Sequence, residues 1–211
     1  MIEQLTKEEK IERGNAGLRD VQTTTELGKR LVDSYLDSEP IGVGEEKVIY
    51  PYGDGLVIAF IFNPKGTEGT TDVEGMKQIY YSAKLMHLLL PDNIPDVRLL
   101  GTDPPVMIVE KVTPKEFIGG YGPVGPQMAL IDKAWDLDVA MDEHDPNFIM
   151  DVDGHMKYVD RFGLPKKSHR LEKAISKIKD PAKRKAAMRY AQRAGVEFYS
   201  HGRLYKGRPI R

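Results

Sequence analysis

Hydrophobic residues recur along the first half of the chain with two different spacings. Residues 3–37 carry a loose apolar stripe with helical spacing, and the Thr-rich patch at 23–25 is the predicted break between two helices. Residues 40–62 change to β-branched and aromatic runs, "KVIYPY" and "LVIAFIF", separated by "GDG", a pattern typical of a β-hairpin. Residues 73–90 return to the helical spacing. This half is therefore predicted to hold an antiparallel strand pair between helices.

The second half of the chain continues with the same spacings. "VRLL" and "VMIVEKV" are predicted strands joined by the turn "GTDPP", and the Gly- and Pro-rich residues 114–126 are a predicted linker. A helix at 127–137 precedes a hairpin made of "FIM", the turn "DVDG" and "MKYVD", and helices follow near 168–179 and 181–195. The sequence therefore predicts an α+β fold with an antiparallel sheet in front and helices behind, in two lobes whose cleft is a common kind of ligand site.

Composition excludes several classes of function. The 211 residues include no cysteine, which excludes disulfides, Cys-based zinc sites and a Cys nucleophile. There is no long apolar run and no signal-peptide core, so we expect no membrane span and a cytoplasmic location.

Charge is distributed unevenly along the chain. Residues 161–211 hold 16 of the 31 Lys and Arg but 3 of the 32 Asp and Glu, which leaves the rest of the chain strongly acidic. The basic C-terminal tail either binds an anionic partner such as nucleic acid or folds back onto the acidic body. We favour the second arrangement because the two charges balance within one chain.

Six acidic residues lie between Met141 and Gly163, "MDEHDPNFIMDVDGHMKYVDRFG". A calcium-binding EF-hand loop placed with Gly154 at its sixth position would have Ile149 at the first, where an oxygen ligand is needed. The flanks also have strand character, so "DVDG" is predicted to be a hairpin turn. Asp142, Asn147 and Asp160 remain as residues that phosphoryl transfer could use, with one carboxylate near the accepting hydroxyl and an Asn–Asp pair for magnesium.

These residues resemble the motifs of the protein-kinase-like superfamily, including its small bacterial and aminoglycoside-phosphotransferase-like branches. "DEHDPN" matches the catalytic loop D-x-x-x-x-N, and "VDRFG" is similar to the metal-binding D-F-G with Arg161 inserted. The resemblance implies that Asp142 is the catalytic base and that Asn147 and Asp160 are metal ligands. It also implies that His144 orients the loop.

The front half resembles the nucleotide-binding strands of the same superfamily. "IGVGEEKVIY" offers Gly42 and Gly44 for the Gly-rich loop, with Val48 or Ile49 under the adenine. "VIAFIF" supplies Ala59 for the adenine pocket.

Two further family positions lie on the following elements. Glu74 stands at the position of the conserved helix glutamate. The strand "PVMIVEKV" resembles the hinge, whose backbone between Glu110 and Val112 would hydrogen-bond the base.

The family's strand lysine is missing, because Ile61 occupies its position. Lys47 resembles the loop lysine of with-no-lysine kinases, which reaches the phosphates and would pair with Glu74. Lys65 is a weaker substitute. The alternative is that Lys47 is a solvated strand lysine and the protein is a pseudokinase.

The resemblance implies three regions: an N-terminal helical extension at 1–38, a kinase-like N-lobe at 39–113, and a reduced C-lobe at 114–211 with the basic tail. The implied activity is an ATP- and magnesium-dependent phosphotransferase acting on a protein side chain or a small-molecule hydroxyl. The alternatives are a pseudokinase-like nucleotide-binding regulator and a nucleic-acid-binding module that uses the basic tail.

Overall fold

A computed structural model describes most of the chain, namely residues 5–44, 46–62, 72–115 and 124–199. Among these described residues, no helix has the length and apolar content needed to span a bilayer. Lys65, most of the predicted linker and the final segment from Ser200 onward lie outside the described residues.

The chain divides into two compact units with boundaries that differ from the predicted regions. Unit 1 comprises Met1–Tyr80 and Asp96–Lys111, and unit 2 comprises Tyr81–Pro95 and Val112–Arg211. The N-terminal helices therefore belong to unit 1 and are not a separate extension. The end of the third helix and the turn after it belong to unit 2.

Unit 1 is built around a five-stranded antiparallel sheet with the strand order β1-β2-β3-β5-β4. The predicted hairpins and the α+β class are confirmed. Its elements are α1 (Lys7–Asp20), α2 (Glu26–Asp33), β1 (Gly42–Val43), β2 (Lys47–Pro51), β3 (Leu56–Ile61), α3 (Asp72–Leu89, which continues into unit 2), β4 (Val97–Thr102) and β5 (Pro105–Glu110).

The Thr-rich patch separates α1 from α2, as the sequence predicts. The hydroxyl of Thr25 accepts a hydrogen bond of 3.1 Å from the backbone N–H of Gly28 and so caps α2. Thr24 donates both its backbone N–H (2.9 Å) and its hydroxyl (2.5 Å) to the carboxylate of Asp103 in the turn between β4 and β5. The break between the helices is thus fixed to the sheet by side-chain hydrogen bonds.

Both faces of the sheet are covered within unit 1. One face packs against α1 and α2 through Leu18, Val21, Val32, Val48, Tyr50, Ile58, Phe60, Phe62 and Val106. The other face packs against α3 through Ala59, Ile61, Met76 and Met107. Because apolar side chains cover both faces, β3 is buried at five of its six positions.

Two buried glycines let α1 approach the sheet closely. A Cβ on Gly17 would lie 2.6 Å from a ring carbon of Phe62, and a Cβ on Gly14 would lie 2.9 Å from the hydroxyl of Tyr50. Neither distance is compatible with a real side chain, so α1 packs directly through its backbone at these positions.

Unit 2 combines helices with two small antiparallel ribbons, β6–β9 and β7–β8. Its hydrophobic residues form two clusters, one under the ribbons and one under the last helices. Its further elements are α4 (Val124–Trp135), β6 (Ala140–Met141), a 3-10 turn (Asp145–Asn147), β7 (Phe148–Met150), β8 (Met156–Tyr158), β9 (Phe162–Gly163), α5 (His169–Ser176) and α6 (Pro181–Arg193).

Candidate functional site

The two ribbons of unit 2 bring together the three residues of the predicted metal and catalytic loops. Met141 pairs with Phe162 at the end of the β6–β9 ribbon, and Phe148 pairs with Tyr158 at the end of the β7–β8 ribbon. Asp142 directly follows β6, Asn147 directly precedes β7, and Asp160 lies in the short connection from β8 to β9. The loops that carry these residues therefore leave the paired ends of the ribbons.

The hydroxyl of Tyr158 ties two of these loops together. It accepts a 2.9 Å hydrogen bond from the backbone N–H of Asp142 and donates one of 2.9 Å to the carbonyl of Arg161. Tyr158 is only 1% exposed. Burial is the main reason that its pKa is raised, and the negative charges of Asp160 and Asp142 raise the pKa further. Both carboxylates therefore act on the same buried hydroxyl.

Asn147 is held in place by its backbone and by one side-chain hydrogen bond. Its carbonyl accepts a 3.0 Å hydrogen bond from the N–H of Val159, and its amide nitrogen Nδ2 donates one of 3.4 Å to the carbonyl of Asp142. With Nδ2 engaged in this way, Oδ1 accepts no hydrogen bond from the residues that the structure describes. A carboxamide oxygen so presented is a suitable ligand for magnesium.

The loop between Asp142 and Asn147 is stabilised by backbone contacts of His144. The N–H of His144 donates a hydrogen bond of 3.2 Å to Oδ1 of Asp142, and its carbonyl accepts one of 2.9 Å from the N–H of Asn147. These contacts are made by the backbone of His144, and an orienting role for its side chain stays a prediction. The side chain of Asp142 is exposed, which leaves its carboxylate accessible to a substrate.

The carboxamide of Asn147 and the carboxylate of Asp160 belong to the chemical types of oxygen that magnesium takes as ligands. One carboxamide and one carboxylate are few ligands for a metal, but magnesium commonly takes one or two protein oxygens and completes its shell with phosphates and water. Within the described part of the chain, no group of three or more His, Cys, Asp or Glu side chains is arranged to hold a metal on its own.

The acidic turn "DVDG" of the β7–β8 hairpin has a structural role, as predicted. Oδ1 of Asp151 accepts a 2.7 Å hydrogen bond from the N–H of His155, and Oδ2 lies 3.6 Å from Nζ of Lys157. Asp151 is 7% exposed, so this carboxylate is enclosed by its own hairpin. Gly154 has a φ of 85°, a left-handed conformation that glycine adopts at little cost.

In unit 1, Lys47 lies on the strand next to Ile61, the residue at the predicted position of the missing lysine. Lys47 on β2 and Ile61 on β3 are paired residues of the antiparallel ladder. Directly paired residues point to the same face, so a lysine at either position would start from the same side of the sheet. Ile61 packs with Met76 of α3 on that face.

Of the two candidates for the adenine pocket on β2, Ile49 shares a face with Ala59, and Val48 does not. Ile49 is paired with Ala59 across the β2–β3 ladder, and both pack in the α3-side cluster. Val48 is completely buried in the cluster on the opposite face. Because successive strand residues point to opposite faces, Val48 does not share a face with Ala59, and the prediction of Val48 as an adenine contact beside Ala59 is wrong. Ile49 stays the predicted contact.

Glu74 lies in the first turns of α3 and is exposed. It is two residues before Met76, which places it about 200° around the helix from the side chain that packs on the sheet. A pair between Lys47 and Glu74 stays a prediction.

The two glycines of the predicted phosphate loop lie at the end of β1, with Gly42 in the strand and Gly44 directly after it. Gly42 is paired with Ile49, and the N–H of Gly44 donates a 2.9 Å hydrogen bond to the carbonyl of Lys47. A Cβ on Gly42 would meet its nearest neighbour at 3.9 Å, and one on Gly44 at 3.7 Å. The fold itself therefore has room for a methyl group at both positions.

The predicted hinge contains one backbone donor that the sheet does not use. The N–H groups of Glu110 and Lys111 donate 2.9 Å hydrogen bonds to the carbonyls of Asp96 and Gly55. The N–H of Val112 makes no such bond to any residue that the structure describes. Val112 is therefore the hinge position with a donor available to a ligand.

Sequence reasoning missed Tyr158 as the residue that organises the site. The sequence carried a signal, because Met156 and Tyr158 alternate with the polar Lys157, which puts both of them on the same face of a strand. A buried tyrosine needs a partner for its hydroxyl, and the two acidic loops beside it supply the partners.

Comparison with known proteins adds no assignment to this geometry. No protein-family model matches the chain, and no curated protein matches it at a significant level.

Proposed function

We propose that the protein is an ATP- and magnesium-dependent phosphotransferase of the protein-kinase-like type, with a protein side chain or a small-molecule hydroxyl as acceptor. The observation that carries the proposal is the hydroxyl of Tyr158, which bonds the backbone N–H of Asp142 and the carbonyl of Arg161, the residue after Asp160. The side chain of Asn147 is bonded to the carbonyl of Asp142. A base and two oxygen ligands for magnesium are the parts that phosphoryl transfer needs from the protein.

Each residue of unit 2 has a defined task in this proposal. The carboxylate of Asp142, steadied at Oδ1 by the N–H of His144, accepts the proton of the attacking hydroxyl. Oδ1 of Asn147 and the carboxylate of Asp160 would hold the metal. Magnesium, when bound, neutralises charge on the β- and γ-phosphates.

The order of elements in unit 1 supports the kinase-like assignment. Protein kinases carry the phosphate-binding lysine on their third strand and its glutamate partner on the helix that follows. Here β3 is followed by α3, and Lys47 starts from the same face as the third-strand position Ile61. We assign phosphate contact to Lys47, adenine contact to Ile49 and Ala59, and base recognition to the N–H of Val112.

ATP binding measured by titration calorimetry with and without magnesium tests the proposal. We expect binding that depends on magnesium in the wild-type protein and is lost in Asp160→Asn. Asp153→Asn is the matched control, because Asp153 is an exposed acid in the turn of the neighbouring hairpin. Equal binding by Asp160→Asn and wild type would contradict the assignment of the metal site.

A pseudokinase-like regulator is the second candidate, favoured by the burial of Ile61. That side chain is 3% exposed within an apolar cluster, so the third strand supplies no cation to the phosphates. Single-turnover incubation with γ-labelled ATP separates the two candidates. Transfer that is lost in Lys47→Met but kept in Lys29→Met, an exposed lysine of α2, indicates an active enzyme that uses Lys47. Magnesium-dependent binding without transfer indicates the regulator.

A further inference from the structure

The last helix of the described chain carries cations without acids. α6, "PAKRKAAMRYAQR", contains five Lys and Arg residues and no Asp or Glu. Other cations of this region form ion pairs. Lys166 and Lys167 pair with Glu197, and Arg170 pairs with Asp138. The cations of α6 form no ion pair with any acid that the structure describes. The offset of basic and acidic halves expected from the sequence is therefore not seen at α6.

Three of these cations form a straight row on the solvent side of α6. Lys185, Arg189 and Arg193 follow one another at intervals of four residues and are all exposed. Such residues lie on one face of a helix and are about 6 Å apart along its axis. Ala187 and Ala191 are completely buried on the opposite side. The row is thus held facing solvent by the packing of the helix.

Two tyrosines border this cationic row. The rings of Tyr81 and Tyr190 are stacked, with centroids 5.9 Å apart and planes inclined by 25°. The guanidinium of Arg193 lies 5.1 Å from the centroid of Tyr81 and donates to its hydroxyl, and that of Arg189 lies 5.7 Å from the centroid of Tyr190. Both rings are half-buried, so part of each meets solvent.

We propose that this surface, formed by Lys185, Arg189, Arg193, Tyr81 and Tyr190, binds single-stranded nucleic acid. The spacing of the cations is of the order of the separation between successive phosphates in an extended strand. The guanidinium groups of Arg189 and Arg193, held over the two tyrosine rings, offer flat cationic faces on which bases stack, and stacking beside a cationic groove is how proteins bind single strands without reading sequence. A membrane fits less well, because α6 has no Trp, Phe or Leu to insert among lipids. This surface lies within unit 2 and does not depend on the proposed function.

The test is fluorescence anisotropy of a labelled 20-nucleotide oligouridine with the full-length protein at a series of salt concentrations. The triple variant Lys185→Gln/Arg189→Gln/Arg193→Gln should weaken binding at least tenfold. It should also reduce the slope of log K against log salt by about 2, since each phosphate contact on a single strand contributes about 0.7. Glutamine favours helix, so α6 is retained, and circular dichroism checks this.

The matched control removes the same charge elsewhere. Arg13→Gln/Arg19→Gln/Lys29→Gln alters three exposed cations of α1 and α2 and should leave affinity and slope nearly unchanged. Tyr190→Leu should weaken binding about fivefold or more, and Tyr190→Phe, which keeps the ring, should not. A matching oligothymidine separates RNA from DNA preference, and binding of either supports the proposal.

Three outcomes would overturn the proposal. The first is equal loss of affinity in both triple variants, which would indicate attraction to net charge alone. The second is binding of anionic vesicles of phosphatidylserine and phosphatidylcholine in preference to either oligonucleotide. The third is no oligonucleotide binding by the wild-type protein at low salt.

Discussion

The backbone N–H of Asp142 donates a 2.9 Å hydrogen bond to the hydroxyl of Tyr158, a side chain from the neighbouring ribbon. That hydroxyl also donates to the carbonyl of Arg161, next to Asp160. A single buried group therefore fixes the start of one acidic loop and the end of the other. Its position relative to the carboxylates depends on the pairing of β7 with β8, which places Tyr158 opposite Phe148.

Tyr158→Phe should destabilise unit 2 and loosen the candidate metal site. The substitution keeps the ring and removes the acceptor of the Asp142 N–H, and a buried group left without its partner costs about 1–3 kcal/mol. We expect the free energy of unfolding, measured by urea titration, to fall by that amount. Magnesium-dependent ATP binding should weaken as well.

Tyr50→Phe is the matched control for this substitution. Tyr50 is also completely buried, but its hydroxyl has no hydrogen-bond partner among the described residues. Removing it should leave stability unchanged or raise it, because a buried hydroxyl without a partner is unfavourable. Equal losses in the two variants would show that the hydroxyl of Tyr158 has no special role.

The stability of the protein should fall at alkaline pH through Tyr50. Burial raises the pKa of Tyr50 to about 12, above the ordinary value of about 10. Between these two pH values the unfolded chain releases the proton and the folded protein keeps it, so unfolding becomes more favourable as pH rises.

The difference between wild type and Tyr50→Phe isolates this contribution, because lysines titrate in both proteins. From pH 10 to 12, the unfolding free energy of wild type should drop relative to that of Tyr50→Phe by about 1 kcal/mol per pH unit. Urea midpoints at pH 8, 10 and 11 give the comparison. Parallel pH profiles of the two proteins would contradict the raised pKa.

Local patterns in the sequence predict the elements well but leave the faces of the sheet undetermined. The helical spacing at 73–90 and the "GDG" turn are reproduced by α3 and by the β2–β3 hairpin. In contrast, "LVIAFIF" has no polar residue to mark an outer face, because helices cover the sheet on both sides. For this reason the sequence could not decide between Val48 and Ile49, and the strand register decides it.

Long-range contacts set the remaining limit on prediction. The order Asp142, Asn147, Asp160 is visible in the sequence, but the hydrogen bonds of Tyr158 to Asp142 and Arg161 form only because the two ribbons fold beside each other. Helix α4 buries Leu130, Ile131 and Ala134, whereas Trp135, a large apolar residue next to them in the sequence, is 59% exposed. Helical periodicity shows which residues share one face of a helix but not how far burial extends around that face.

Gly44→Ala should show whether Gly44 is needed for the stability of the fold or for binding ATP. A methyl group on Gly44 would lie 3.7 Å from the carbonyl oxygen of Lys47, an ordinary contact. Unfolding free energy should therefore change by less than about 0.5 kcal/mol. If the turn approaches the phosphates of ATP, the methyl should raise Kd about tenfold, equal to about 1.4 kcal/mol.

Gly125→Ala is the control for this experiment, because a Cβ there would meet no atom within 4 Å and the residue lies on α4 in unit 2. It should leave the Kd for ATP unchanged. If the Gly44→Ala protein binds ATP as tightly as wild type does, the connection between β1 and β2 is not part of the nucleotide site.

Asp142→Asn should show whether the carboxylate of Asp142 acts as the general base or as a metal ligand. Asparagine keeps Oδ1, so the hydrogen bond from the N–H of His144 and the shape of the loop are retained. The substituted side chain can no longer accept a proton, and loss of a general base lowers the rate of transfer by about 10² to 10⁴. The Kd for ATP with magnesium should stay within about twofold of wild type.

Glu143→Gln removes the adjacent exposed carboxylate and should leave both the rate and the Kd unchanged. Asp160→Asn should behave in the opposite way to Asp142→Asn, with the loss appearing in magnesium-dependent binding. If Asp142→Asn instead abolishes binding, its carboxylate is a metal ligand, and the base must be sought elsewhere in the loop. Single-turnover rates at saturating ATP distinguish these outcomes, because binding no longer limits the rate under that condition.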